Sequence, residues 1–287
     1  MGINYSIETP AKLNIILKVT GRRSDGYHDI LSIMVPVDLV DHIEVTSQDS
    51  GNIRLKCEGY PVPEDKSNLV HRAAQSFLKA AGLKKHVSIG LKKHIPVSAG
   101  LGGGSSDAAA TLLVLNDMSG RPLDLPALHR LAARLGADVP FFLYCRPAIA
   151  TGIGEKLSVL EKWPRIWYVI VKPPISLATS WVYRHLKLEL TSNPYMDINN
   201  YLRKDPKDLF QHLDNDLEPV STARFPIINR IKKHLIEAGA MGSIMSGSGP
   251  SVFGIFPTGE QAREAQQYMV SQDVGDVFVA QNWEGKR

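Results

Sequence analysis

Pro96-Val97-Ser98-Ala99-Gly100-Leu101-Gly102-Gly103-Gly104-Ser105-Ser106-Asp107 runs without a break into residues 108–118, an alanine- and leucine-rich segment with helical character. Residues 86–93 before it alternate apolar and polar, as a half-buried strand does. The glycines therefore join a strand directly to a helix. Glycine lets backbone approach a ligand closely and adopt positive φ. Successive amide N–H groups in such a turn cradle an anion, and the following helix adds its positive dipole end and unpaired N–H groups. Ser105 and Ser106 supply hydroxyls for phosphate or a metal. The chemistry that fits is a di- or triphosphate. The loop is not a Walker A, because no lysine follows the last glycine, and it is not G-x-G-x-x-G, because Ser105 stands at the last glycine position. The H-R-D and D-F-G pieces of protein kinases do not occur.

Working outward, residues 5–19 read as a strand in which Ala11, Leu13, Ile15 and Leu17 alternate with Lys12, Asn14 and Lys18, which puts Lys12 and Asn14 on one face. Further strands are expected at 30–37, 42–47 and 52–57, and a helix from an Asn68 cap to Gly82. A helix over 126–135 stops at Gly136, and strands follow at 148–152 and 166–171. After Lys172-Pro173-Pro174, helices are expected near 178–187, 206–212 and 226–238. The end reads strand (241–245), glycine-rich turn (246–250), strand (251–256), helix (260–270) and strand (276–281). This mixture predicts an α+β protein, with domains over 1–160 and 161–287.

The 287 residues, 44% hydrophobic and 22% charged, suit a globular chain with a sizeable core. A net charge of +4 with no Lys/Arg-rich run argues against a nucleic-acid partner and suits phosphorylated ligands. Cys57 and Cys145 form no zinc or redox spacing and are expected as reduced thiols. Residues 1–10 lack a signal-peptide pattern, and no run of about 18 apolar residues occurs, so a cytoplasmic protein without a membrane partner is expected.

Several side chains carry two readings each. Asp138, between Gly136 and Pro140, is a turn or capping aspartate, or a base for a substrate hydroxyl. Lys12 is a solvated strand residue or a charge stabiliser. Tyr27 and His28 are a hairpin tip, or a stacking face and a hydrogen-bonding edge for a base. Lys93 and His94 are a solvated strand end or phosphate contacts, and Asn68 is a plain cap or lies near a nucleotide. Ser248 and Gly249 are a β-turn or a support for the phosphate site. The nine histidines show no metal spacing, so any metal ion is expected to arrive with the bound polyphosphate, met by Ser105 or Ser106.

The run from Pro96 through Gly100, Leu101, Gly102, Gly103, Gly104, Ser105 and Ser106 to Ala108-Ala109 resembles the phosphate loop of the GHMP kinases. Pro10-Ala11-Lys12-Leu13-Asn14 is similar to that family's N-terminal motif, and Ser246-Gly247-Ser248-Gly249-Pro250-Ser251-Val252-Phe253 to its C-terminal glycine motif. Gly21-Arg22-Arg23, with Asp25-Gly26-Tyr27-His28, and Gly136-Ala137-Asp138-Val139-Pro140-Phe141-Phe142 resemble the branch that phosphorylates a cytidine diphosphate-linked alcohol. The resemblance spans residues 10 to about 256, and 185–225 carry none of it.

The resemblance implies an N-terminal domain with a left-handed βαβ unit, against the usual hand, a ferredoxin-like C-terminal domain, and substrate bound between them. It implies Asp138 as base with Lys12 as its partner, and ATP with Mg²⁺ on the loop, with Asn68 near the nucleotide. It also implies a substrate held by Asn14, Tyr27, His28 and Tyr183 or Trp181. Another GHMP kinase, such as homoserine kinase, and a non-catalytic nucleotide or nucleic-acid binding module are the rival readings. A monomer or weak homodimer is expected.

Overall fold

The computed structural model describes residues 3–48, 52–187, 210 and 212–285. Two long strands, β1 (Ile3–Arg22) and β2 (His28–Gln48), carry the chain through two compact units. The first unit takes in Met1–Ala11, Val40–Val97 and Gly102–Cys145, and the second Lys12–Leu39, Ser98–Leu101 and Arg146–Arg287. The units are thus interleaved along the sequence, and the chain last passes from one to the other at Cys145.

In the first unit, β3 (Ile53–Gly59), α1 (Leu69–Ala80) and β4 (His86–Lys93) form a βαβ unit with β3 parallel to β4. On its other side β4 runs antiparallel to β2, from His42 opposite Lys92 to Gln48 opposite His86. Helix α1 forms because Val70, Ala73, Ala74, Phe77 and Leu78 recur on one helical face and are buried there. Asn68 caps it, its side chain accepting from Val70 N at 2.9 Å. Helix α2 (Gly103–Met118) packs on α1, on α3 (Leu125–Leu135) and on α4 (Val139–Tyr144). Asp124 caps α3 through Ala127 N at 2.8 Å, with Pro126 in its first turn. Buried Phe141 and Phe142 meet edge to face at 5.1 Å, an arrangement worth about 0.5–1.5 kcal/mol beyond area burial.

In the second unit, β5 (Ala148–Thr151) pairs with β2 and with β6 (Lys156–Val159). The separate sheet is built from β7 (Trp167–Lys172), β9 (Ser243–Met245), β10 (Val252–Phe256) and β11 (Asp276–Gln281). Its order is β11-β7-β10-β9, antiparallel throughout. With α7 (Ile227–Glu237) before β9 and α8 (Gly259–Ser271) between β10 and β11, this is the ferredoxin-like arrangement. The unit also holds helix α5 (Thr179–His185), the short β8 (Asp214–Asn215) and α6 (Glu218–Arg224), with β8 parallel to β1.

The expected strands at 30–37 and 42–47 are one strand, β2. The two aspartates between the expected strands are paired: Asp38 accepts from Gln281 N at 2.7 Å, and Asp41 is fully buried against Lys93. Among the described residues, four elements were not expected: α4, whose apolar run is too short to show a period, β6, β8 and α6. Most of the expected helix at 206–212 lies outside the described residues. Both cysteines are free thiols. Among the described residues no helix is long and apolar enough to cross a membrane.

Candidate active site

Lys12 and Asn14 share a face of β1, as their spacing predicts, but that face is not solvated: they are 4% and 1% exposed. Lys12 Nζ donates to Asn14 Oδ1. Asn14 Nδ2 donates to Ser32 Oγ at 2.8 Å, and Ser32 Oγ passes the chain on to Ile16 O at 2.6 Å. The Asn14 amide is therefore fixed in orientation, with its oxygen turned to the ammonium.

Two glycine-rich segments close on this pair within the second unit. Lys12 N donates to Leu101 O at 2.9 Å, which ties the start of the phosphate loop to β1. Ser246 Oγ accepts from Asn14 N at 3.4 Å and donates to Gly100 O at 3.0 Å. Ser251 N donates to Ala99 O at 3.2 Å. Gly100 has φ +78°, and a Cβ there would lie 2.2 Å from Ser246 O. Gly247 has φ +57°, and a Cβ there would lie 3.3 Å from Asn14 Oδ1 and 3.4 Å from Lys12 Nζ. Only glycine combines this backbone with this closeness. The three segments singled out in the sequence thus meet around Lys12 and Asn14.

The rest of the phosphate loop starts α2 in the first unit. Gly102 is its N-cap at φ +71°, and the amides of Ser105 and Ser106 both donate to Gly102 O at 3.0 Å. This 16-residue helix has no side-chain cap and no acidic residue in its first turn. Ser106 Oγ is fully buried with no hydrogen-bond partner, while Ser105 is half-buried. An uncapped helix start with no acidic residue in its first turn, and with an unsatisfied hydroxyl there, fits a polyphosphate. Pro96 is buried ahead of the loop.

Beneath the loop lies a buried ionic cluster. Lys93, read from sequence as a strand end or a phosphate contact, is 4% exposed, and its ammonium pairs with Asp41 and with Asp107 Oδ2 at 2.8 Å. Asp41 Oδ1 also accepts from His94 N at 2.6 Å and Ile95 N at 2.8 Å, and Thr9 Oγ1 donates to Asp107 Oδ1 at 2.6 Å. Burial pushes the Asp107 carboxyl up to about 7 against the pull of Lys93, and the Asp41 charge adds to the rise. Burial pulls the Lys93 ammonium down, but the two carboxylates outweigh it and hold it above its usual value. The cluster fastens the start of α2 to β1, β2 and β4. Asp41 and Thr9 carried no sequence signal, since nothing local marks a partner so far along the chain.

Asp138 immediately precedes α4, half-buried, and its carboxylate makes no capping hydrogen bond to that helix. Asn68 serves as the cap of α1, and its Nδ2 donates to Pro63 O at 2.7 Å. Of the aromatic candidates, His28 and Tyr183 come together, their rings stacked at 5.1 Å and 28°. Tyr27, next to His28 in sequence, is 58% exposed. Trp181 is engaged elsewhere, stacked on His185 at 4.1 Å with the Arg224 guanidinium 4.5 Å from its ring centre. Ser248 Oγ lies 2.7 Å from Thr179 Oγ1. Burial, helped by the Arg22 charge, lowers the His28 pKa, which favours the neutral ring.

A glycine-cradled polyphosphate loop opening a long helix, a buried lysine fixed by an asparagine, and a ferredoxin-like second unit define a small-molecule phosphotransferase. The family model of the GHMP kinases N terminal domain matches residues 68–146, and that of the GHMP kinases C terminal matches 200–274. The chain is 43% identical to the 4-diphosphocytidyl-2-C-methyl-D-erythritol kinase of Syntrophotalea carbinolica, over 96% of this chain and 98% of that protein. It is 45% identical to the enzyme of the same name from Geobacter metallireducens, over 96% and 97%. Among solved structures, a 4-(cytidine 5'-diphospho)-2C-methyl-D-erythritol kinase superposes with a TM-score of 0.82 at 34% identity, covering 98% of this chain and 100% of that one. Homoserine kinase from Cytophaga hutchinsonii superposes at 0.78 with 20% identity, over 96% and 94%, a likeness of fold alone. The chain belongs to the GHMP kinase family.

Proposed function

We infer that this chain transfers the γ-phosphoryl group of ATP to the 2-hydroxyl of 4-diphosphocytidyl-2-C-methyl-D-erythritol, giving the 2-phosphate and ADP in the isoprenoid-precursor route that does not use mevalonate. What carries the reading is near-full-length identity of 40–46% to kinases named for that substrate. The stacked His28–Tyr183 pair supports it, because two aromatic faces suit a pyrimidine and have no use for homoserine.

In this reading the loop from Gly100 to Ser106 holds the triphosphate, and Mg²⁺ arrives on it, met by the Ser105 or Ser106 hydroxyl. Bound Mg²⁺ would neutralise phosphate charge. Asp138 takes the proton of the attacking hydroxyl. Lys12, oriented by Asn14, stabilises negative charge on the phosphoryl group in flight. Tyr27, His28 and Tyr183 hold the cytidine half, His28 through the base edge. The protein acts in the cytoplasm as a monomer or weak homodimer, with N- and C-terminal domains divided near residue 160.

The test is ADP release with Mg-ATP, comparing 4-diphosphocytidyl-2-C-methyl-D-erythritol with homoserine, mevalonate and galactose. Release with the cytidyl substrate alone is expected. Turnover of homoserine, with CDP giving no thermal protection, would replace this reading with that of a different GHMP kinase. ATP hydrolysis without acceptor phosphorylation would favour a nucleotide-binding module.

A further inference from the structure

Asn215-Asp216-Leu217-Glu218, which no sequence motif singled out, is wired into the turn that faces Lys12. Asn215 is 4% exposed and spends its whole amide. Nδ2 donates to Met245 O and to Gly247 O, both at 2.8 Å, and Oδ1 accepts from Leu217 N at 2.9 Å. Two carbonyl acceptors call for both hydrogens of one NH₂ group. A carboxylate would repel them, and an apolar side chain would leave them without these donors. Glu218 accepts from Met245 N at 2.8 Å while pairing with Lys232, so both backbone polar groups of Met245 are held. Asp216 accepts from Val19 N at 2.7 Å and from Lys18 at 3.0 Å, and β8 bridges β1 at Ile16–Asp214 and Leu17–Asn215. The clasp is therefore built on the strand that carries Lys12 and Asn14.

The two carbonyls that Asn215 grips flank Ser246, whose hydroxyl sits between Asn14 N and Gly100 O. Gly247, one residue on, stands against the Lys12–Asn14 pair, with too little room for a relaxed Cβ. A shift of this turn moves directly against the lysine. We propose that Asn215, assisted by Glu218, is a positioning residue for phosphoryl transfer: it holds the Ser246–Gly247 turn so that Lys12, Asn14 and Gly100 keep their places. The proposal rests on the role given to Lys12 above. Asn215 acts through the turn, so its loss is read mainly in kcat, since small misplacements of reacting groups cost up to about 100-fold.

The test is a double-mutant cycle on kcat with Asn215→Ala and Ser246→Ala. The Asn215→Ala variant is expected to lose about 10- to 100-fold in kcat, with KM for the acceptor and the thermal shift produced by CDP close to wild type. In the Ser246→Ala background the same substitution should have little further effect. Additive losses, an unchanged kcat, or a change confined to KM would overturn the proposal. Should Asn215→Ala not fold, Glu218→Ala carries the test. A fall in kcat with CDP protection retained supports the clasp, and wild-type kcat sinks it. If the wild-type protein phosphorylates no cytidyl acceptor, the functional reading fails separately. Amide hydrogen exchange at Ser246 and Gly249 then judges the clasp, with faster exchange in Asn215→Ala supporting it and unchanged exchange overturning it.

Discussion

Gly100 and Ser246 touch at two points: the Ser246 hydroxyl donates to Gly100 O at 3.0 Å, and Ser246 O occupies the place a Gly100 Cβ would need, 2.2 Å away. Gly120 has the same φ of +78° but nothing within 4 Å of its missing Cβ. The two glycines therefore separate backbone strain from close approach. Gly120→Ala should lose only the left-handed term, about 1–2 kcal/mol, and keep its activity. Gly100→Ala meets fixed backbone as well. It should lose more stability in urea titration than Gly120→Ala and also lose at least about 10-fold in kcat/KM for ATP. Equal behaviour of the two variants would show that the contact with Ser246 does not matter.

Lys93 holds two carboxylates in a site almost closed to water, so removing it strands charge. Lys93→Met is expected to destabilise the protein by about 3–5 kcal/mol, the range for breaking a buried pair from one side. Asp107 adds a pH dependence. Its carboxyl rises from 3.8 in the unfolded chain to about 7 in the folded one, so the folded state binds the proton more tightly. Its contribution to stability is thus fully present below about pH 4 and is lost as pH climbs to about 7. Asp107→Asn cannot titrate. The stability of the variant relative to wild type should rise between pH 4 and 7, as read by chemical denaturation at several pH values. A constant difference across that window would show that Asp107 does not titrate there.

What was legible in the sequence was whatever sits in one stretch. The Gly100–Ser106 loop, the Lys12/Asn14 face and the Asn68 cap are local patterns, and the structure forms the turn, the shared face and the cap that they imply. The convergence of Gly100, Ser246 and Asn14 was not legible, because it depends on how β9 and β10 return to β1. The Lys93 cluster hid for a related reason. A lysine at the end of an alternating strand reads as solvated until Asp41 and Asp107 arrive from other elements. Asn215 and Glu218 lie in elements too short to show any period, and their value is set wholly by the distant backbone they bind.

The capping explanation for Asp138 fails on geometry, since its carboxylate makes no bond to the start of α4. Asp138→Asn keeps the size of the side chain and removes its charge, and should lose on the order of 100-fold or more in kcat, the scale of general-base catalysis. Lys12→Met should lower kcat as well. The buried ammonium also satisfies Asn14, however, so that variant should lose stability along with kcat. Parallel kcat and thermal-melt measurements check both losses. An Asp138→Asn enzyme near wild type would remove the residue from the mechanism.

His28 and Tyr183 give the cytidine reading its sharpest test. Tyr183 stacks on His28, whereas Trp181 is committed to His185 and Arg224. Tyr183→Ala should lose about 1–3 kcal/mol of base stacking, a rise of roughly 5- to 150-fold in KM for the cytidyl substrate, with KM for ATP unchanged. Trp181→Ala should leave both near wild type. Burial and Arg22 lower the His28 pKa beneath the usual 6.5, so the ring is neutral at pH 7 and offers one donor and one acceptor to the base edge. Protonation turns both ring nitrogens into donors. KM for the cytidyl substrate should thus be flat from pH 7 upward and rise as pH falls below 6.5 into the lowered titration range of His28. A His28→Gln enzyme, which cannot titrate, should lose that rise while keeping a hydrogen-bonding edge. If its acid limb matches wild type, the limb belongs to another group and His28 does not read the base.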